Sequence, residues 1–279
     1  MSKKMTVQLL KVSVPYFLGR VVRKFAPFGA LPKPIRQKIP GFQPNLGEQS
    51  QTAVFGIYSK SLDFDFATWL EGKIVLEIGT GRTNGCCYMF ASKGAAKALS
   101  LEPFRPLDIE QDSIQIRDTA SLSQCDESIL RDRVKRIDSF CGIPNESCDA
   151  IFSLAVLEHV ESMEDLTNEL WRVLKPGGWM VHVVDYRDHF FKYPYHHLLW
   201  SQKTWDRYLN PGDLPRWRIG DHVECFKKKG FATRVLSASP IDHEFKKIQT
   251  LIHPEIKERY SIEDIQTAFG KIWAEKPHR

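Results

Sequence analysis

The segment Leu76-Glu77-Ile78-Gly79-Thr80-Gly81-Arg82-Thr83-Asn84-Gly85-Cys86 constrains this chain more than any other. It follows an apolar run, Lys73-Ile74-Val75-Leu76, that reads as a buried parallel strand, and leads into Cys86–Lys93, a run without Gly or Pro that can begin a helix. A strand, a glycine-rich turn and a helix N-terminus form a site for negative oxygens. Glycines let the backbone approach closely, while unpaired N–H groups and the helix dipole favour the anion. The acid two residues before the first glycine narrows the ligand. A dinucleotide fold brings a pyrophosphate here, which Glu77 would repel, and Asn84 stands where the third glycine of G-x-G-x-x-G belongs. A ligand with a cationic centre and a terminal carboxylate suits an acid beside a turn of free N–H groups.

S-adenosylmethionine is such a ligand, and Glu77-x-Gly79-x-Gly81 resembles motif I of the class I S-adenosylmethionine-dependent methyltransferases, of the methyltransferase type 11-like kind. Thr83 occupies the family's third glycine position, and the next glycine is Gly85. Downstream motifs keep the family's order. Ala98–Glu102 reads as a second strand ending in an acid, which in a nucleotide-binding α/β fold accepts the ribose hydroxyls through bonds of about 1.5–3 kcal/mol each. Val134–Asp138 reads as a short third strand, and the resemblance puts Asp138 and Ser139 near the adenine. Cys148–Val160 is similar to the family's fourth strand and Val-Leu-Glu-His turn, and Leu170–Val181 to its helix, Lys-Pro-Gly-Gly turn and fifth strand.

The resemblance implies an α/β, Rossmann-like fold: a seven-stranded, mostly parallel sheet with helices on both faces. Its cofactor residues would be Glu77, Gly79, Thr80, Gly81, Glu102, Asp138, Ser139, Ser153 and Leu154, with Tyr58 of the preceding segment at the methionine end. Asp221–Lys229 reads as a helix and Phe231–Ser237 as a sixth strand. A last strand is expected within 248–252 or nearer the tail, and 254–279 reads as helical and peripheral.

Charge divides the chain. Before Glu48 there is no acid and there are nine Lys or Arg, whereas the remainder has 30 basic against 34 acidic residues. Val14, Phe17, Leu18, Val21, Val22 and Phe25 recur at helical spacing with Arg20, Arg23 and Lys24 off that face; Ser13 suits a cap and Pro15 a first turn. Such a basic amphipathic helix has three surfaces to choose from: its own domain, a second subunit of a homodimer, or an anionic membrane touched through residues 13–26. We read 1–48 as this extension and 49–279 as the methyltransferase domain, with 190–219 as an aromatic lid. Six cysteines without a C-x-x-C pair, and no histidine at zinc spacing, point to buried thiols and no metal. No apolar run reaches 18 residues. The expected location is cytoplasmic, with peripheral membrane contact through the helix.

The family's sulfonium is already activated, so the protein must chiefly align a nucleophile and exclude water. A base helps where the acceptor is protonated. Asp185 and His189, at and beyond the end of the fifth strand, are the candidate catalytic pair; His182 alternates with valines and His159 lies near the cleft. Tyr186, Tyr195, His196 and Trp200 are the candidate acceptor residues within or near the lid, whose aromatics and arginines either enclose a sugar, a planar acceptor or an amine, or form a small core. Nucleic acid is not expected, because Ser153-Leu154-Ala155-Val156 lacks the Asp/Asn-Pro-Pro-aromatic motif of base-amine methylation. The expected function is methyl transfer to O or N of a small molecule in bacterial secondary metabolism. The alternatives are a saccharide or lipid-linked glycan acceptor and a non-catalytic methyltransferase-like subunit.

Overall fold

Neighbouring side chains of the central strands face opposite layers, and each layer has its own core. The computed structural model describes residues 14, 16–22, 24–25, 50–189, 193–210, 212 and 214–278; Ser13, Pro15, the proline-rich stretch 31–47, Phe190 and Phe191 lie outside them. The strands are β1 (Ile74–Ile78), β2 (Lys97–Leu101), β3 (Val134–Ile137), β4 (Cys148–Leu154), β5 (Leu174–Asp185), β6 (Ala232–Pro240) and β7 (Thr267–Glu275). They form one sheet in the order β3-β2-β1-β4-β5-β7-β6, parallel except for β7, which runs antiparallel to β5 and β6. The order reverses at β1 and β4, so the first two crossovers run one way and the next two the other.

Helices cover both faces. On one face α1 (Gln51–Ser59), α2 (Phe66–Trp69) and α3 (Cys87–Ser92) bury Tyr58, Phe66 and Phe90 against Val75, Ala98, Phe152 and Val181. Helices α4 (Ile109–Ser123) and α5 (Glu127–Arg133) pack on α3 through Ile116 and Leu130. On the other face α6 (Met163–Val173) and α7 (Ile219–Lys229) set Leu170, Val173 and Phe226 on Leu76, Leu99, Ile151, Met180 and Ile272. Each such side chain, fully withdrawn from water, contributes about 1.5–3 kcal/mol.

Two features differ from expectation. The Lys175-Pro176-Gly177-Gly178 turn is absorbed into the start of β5 as an irregularity: Cys148 pairs with Leu174, but Ala150 pairs with Trp179. Gly177 has φ +75°, which makes this local reversal possible. The tail is not a peripheral helix. After α8 (Asp242–Ile248), α9 (Pro254–Arg259) and α10 (Ile262–Gln266), it enters the sheet as β7 between β5 and β6. The strand is legible in hindsight, since Ala268, Gly270, Ile272 and Ala274 alternate with less buried residues. No strand occurs at 248–252, where α8 ends.

Candidate cofactor and acceptor site

Burial of Glu77 organises the glycine turn. Its Oε2 accepts from Cys86 N–H (2.6 Å) at the entry to α3, and its Oε1 from the Tyr58 hydroxyl (3.1 Å). Burial pushes the Glu77 carboxyl up to about 7 and the Tyr58 phenol well above its usual value. Glu77 therefore ties strand to helix, and Tyr58 packs in the core against Phe90 and Phe152. A Cβ on Gly85 would meet Glu77 Oε2 at 2.7 Å, so this glycine, off the family spacing, serves the acid. Asn84 has its own reason: its amide and backbone N–H bind Asp112 of α4, which also accepts from Tyr88.

Gly79 and Gly81 differ although both have positive φ, +76° and +74°. A Cβ on Gly79 would strike Val156 at 2.3 Å, whereas one on Gly81 meets nothing within 4 Å. The space at Gly81 adjoins Glu102, whose Oε2 accepts the Gly81 N–H (2.8 Å) and whose Oε1 accepts those of Phe104 and Arg105 (3.0 and 3.2 Å). An ionised carboxylate has about four acceptor sites. This arrangement leaves one for a ribose hydroxyl, not two. Glu102, Arg136, Asp138, Ser139 and Gly142 line a cavity of about 640 Å³, within the range of small-molecule sites. Open space at the turn, a carboxylate beside it and a cavity beyond fit an adenosyl ligand.

Arg136 was missed from sequence. From β3 it donates to the carbonyls of Thr83 (2.7 Å), Gly81 (2.7 Å) and Arg105 (2.9 Å), pinning the turn after β1 to the loop after β2. Thr80 Oγ1 pairs with Ser100 (2.8 Å) and accepts from Arg136. Only sheet register brings these groups together.

On the acceptor side the structure redistributes the expected residues. The Ser153 hydroxyl points away from the turn and pairs with His182 Nδ1 (2.7 Å) beneath α7; both residues are buried, and burial lowers His182 to about 3. Leu154 packs into the α1–α3 core. Tyr186 bonds His222 Nδ1 (2.8 Å), and Tyr195 donates to Gln266 O (2.7 Å) and accepts from Ile241 N–H (2.8 Å). His196 is buried among Tyr16 and Tyr193, and burial lowers it to about 4; Trp200 rests on Phe17. The lid's arginines hold backbone: Arg216 the carbonyls of His197 and Trp200, Arg218 those of Tyr186 and Asp264. Tyr186, Tyr195 and His196 thus support a packed cap and present no aromatic cage.

Polar groups do converge at the ends of β4 and β5. Asp185 forms a two-bond pair with Arg187 (2.8 and 2.6 Å). His189 faces His159, from the turn after β4, with ring centroids 4.7 Å apart. Glu158, beside His159, is buried with neither carboxylate oxygen hydrogen-bonded among the described residues. Asp188 was missed: fully buried, it accepts from Arg20 and from the Tyr16 hydroxyl, locking residues 16–22, which are helical, onto the lid. Arg20, expected off the apolar face, therefore faces inward; Phe17 and Val21 of that face pack on the lid, while Val14, Leu18, Val22 and Phe25 are exposed.

Residues 76–182 match the methyltransferase domain family. A search of curated proteins finds no match. Similar solved structures include phosphoethanolamine N-methyltransferase 2 of Haemonchus contortus (16% identity, 82% of this chain and 53% of that one, TM-score 0.48). Others are a putative sarcosine dimethylglycine methyltransferase of Galdieria sulphuraria (17%, 81% and 85%, 0.46) and a putative S-adenosylmethionine-dependent methyltransferase of Listeria monocytogenes (15%, 82% and 98%, 0.46). The chain spans about half the length of the Haemonchus enzyme, and likenesses at this level say nothing of the acceptor. Motif I, the downstream motifs and the family match over residues 76–182 agree on a class I S-adenosylmethionine-dependent methyltransferase domain in this part of the chain.

Proposed function

We propose that the protein transfers a methyl group from S-adenosylmethionine to an oxygen or nitrogen of a polar small molecule. The observation that carries this reading is the pairing of two places on one sheet edge. Open space at Gly81 adjoins Glu102 and a cavity, and the facing rings of His159 and His189, with Asp185 as the last residue of β5, stand where β4 and β5 end. When bound, the cofactor supplies a methyl group already activated on sulfur. Glu102 orients the ribose, Asp138 and Ser139 flank the adenine end, and the turn's backbone approaches the amino-acid portion. His189 and Asp185 hold the acceptor and the proton it releases. The acceptor meets polar groups, because the lid's aromatics are packed on one another.

Calorimetric titration tests this directly. S-adenosylmethionine and S-adenosylhomocysteine are expected to bind at micromolar Kd and NAD not at all. Folded protein that binds neither adenosyl ligand would end the reading in favour of a non-catalytic scaffold.

One observation favours an acceptor presented at a membrane, such as a lipid-linked glycan. Val14, Leu18, Val22 and Phe25 form an exposed stripe on a segment whose first 47 residues carry only positive charge. No described helix is long and apolar enough to cross a membrane. Sedimentation with vesicles containing phosphatidylglycerol should capture the protein and lose it on Leu18→Asp; equal binding by the variant removes this reading.

A further inference from the structure

We propose that Glu158, His159 and His189 form a divalent-cation site at the acceptor end of the sheet. One ligand atom from each lies within 4.8 Å of the other two. Glu158 and His159 come from the short turn Leu157–His159 after β4, and His189 from the segment after β5. The neighbouring parallel strands β4 and β5 therefore set the spacing.

Glu158 is the independent sign of a missing partner. It is 2% exposed, and the backbone N–H groups of Glu158 and Asp185 lie near it, but neither reaches a carboxylate oxygen with full hydrogen-bond geometry. The nearby Arg187 guanidinium bonds both oxygens of Asp185 instead. Buried carboxylates are normally paired, hydrogen-bonded or coordinated to metal. Two imidazoles beside this one make coordination the natural completion.

Two imidazole nitrogens and one carboxylate oxygen suit zinc or another first-row divalent ion better than magnesium or calcium, which take oxygen ligands. Bonds of about 2.1 Å would draw the three atoms somewhat closer together. His159 is exposed and His189 half-buried, and their rings already face each other. Three protein ligands leave at least one position open, as in catalytic sites.

The open position selects the acceptor class: a hydroxyl or other oxygen that binds the ion directly. This role rests on the proposed methyl-transfer reading, and in it His189 acts as a ligand. The site itself does not depend on that reading.

The test is calorimetric titration of metal-stripped full-length protein with zinc and manganese, and with magnesium as control, beside a separate titration with S-adenosylhomocysteine. Wild type should bind one zinc or manganese ion per chain and prefer either to magnesium. Glu158→Gln, which keeps the shape but removes the charge, and His189→Ala should each weaken that binding at least thirtyfold while leaving S-adenosylhomocysteine affinity within threefold. His189→Ala, at a half-buried position, keeps the test valid if Glu158→Gln fails to fold. Absence of stoichiometric binding by wild type, or unchanged affinity in folded His189→Ala, overturns the site. Cation binding without adenosyl binding would leave the site standing and defeat the methyl-transfer reading.

Discussion

The cofactor end and the lid use buried polar groups in contrasting ways. At the ends of β1 to β3, backbone N–H groups and one arginine arrange a carboxylate beside open space: Glu102 accepts from three N–H groups, and Arg136 holds three carbonyls. In the lid, packed rings and side-chain bonds close the space, although His196, Trp200 and Arg216 each keep a buried nitrogen without a hydrogen bond among the described residues. Asp188 takes Arg20 and Tyr16, Tyr195 bridges Gln266 and Ile241, and Arg218 gathers carbonyls. The first pattern leaves room for a ligand, and the second makes a cap. Aromatic and cationic composition alone does not distinguish a binding cage from a small core; hydrogen-bond partners do.

The contrast is most exposed to test at Asp188. Asp188→Ala should destabilise the protein by about 3–5 kcal/mol, because Arg20 is left buried without its carboxylate. Denaturant unfolding would measure this, and a loss below about 1 kcal/mol would show that the lid does not depend on the pair.

At the cofactor end the effect should fall on affinity. Glu102→Ala should weaken S-adenosylhomocysteine binding by about 1.5–3 kcal/mol, tenfold or more, and Gly81→Val should abolish it, with the stability cost of a β-branched residue at φ +74° but no steric clash. Gly79→Val should also unfold the domain more readily, since its side chain has Val156 in its way. Equal stabilities of the two valine variants would contradict this difference between the glycines.

Tyr195→Phe separates cap from cage. It should cost about 1 kcal/mol of stability, through the bonds to Gln266 and Ile241, and leave turnover unchanged. A specific rise in acceptor KM would return Tyr195 to the binding site.

The smallest effect at neutral pH grows on acidification. His182 and His222, lowered by burial to about 3, take up protons in the unfolded chain first, from its usual value near 6.5. The contribution of these two histidines is therefore constant above 6.5 and falls as pH drops towards 3. Glu77, raised to about 7, opposes this between its ordinary value near 4.5 and 7, because the folded state holds its proton more tightly. His196, lowered to about 4, and His197, also lowered by burial, add to the fall, while Glu158, raised by burial, opposes it alongside Glu77; four histidines outweigh two acids. His222→Gln should flatten the fall, and an unchanged slope in pH-dependent unfolding would refute the assignment.

Much of the architecture was legible because it is written in local patterns. Val75 and Leu76 announce a strand, Gly79 and Gly81 a turn with positive φ, and Glu102 an acid at the next strand's end. A last strand nearer the tail was one of two places expected for β7; its bounds escaped because its alternation is carried partly by Ala and Gly, and its place between β5 and β6 is not a local property. Arg136 escaped because its partners lie 31 to 56 residues away in sequence. Ser153 was located correctly on its strand, yet its hydroxyl serves His182, because strand parity turns it towards α7.

The sequence by itself determined the strand–turn–helix that opens the sheet, the order of the motifs and the acids at the strand ends. These follow from φ preferences, alternation and short-range hydrogen bonding, which act over a few residues. Tertiary structure alone decided the inward Arg20, the closed lid and the meeting of Glu158, His159 and His189. The free energy of a buried charge depends on what the fold brings within a few ångströms of it, and that distance is set by packing between remote segments.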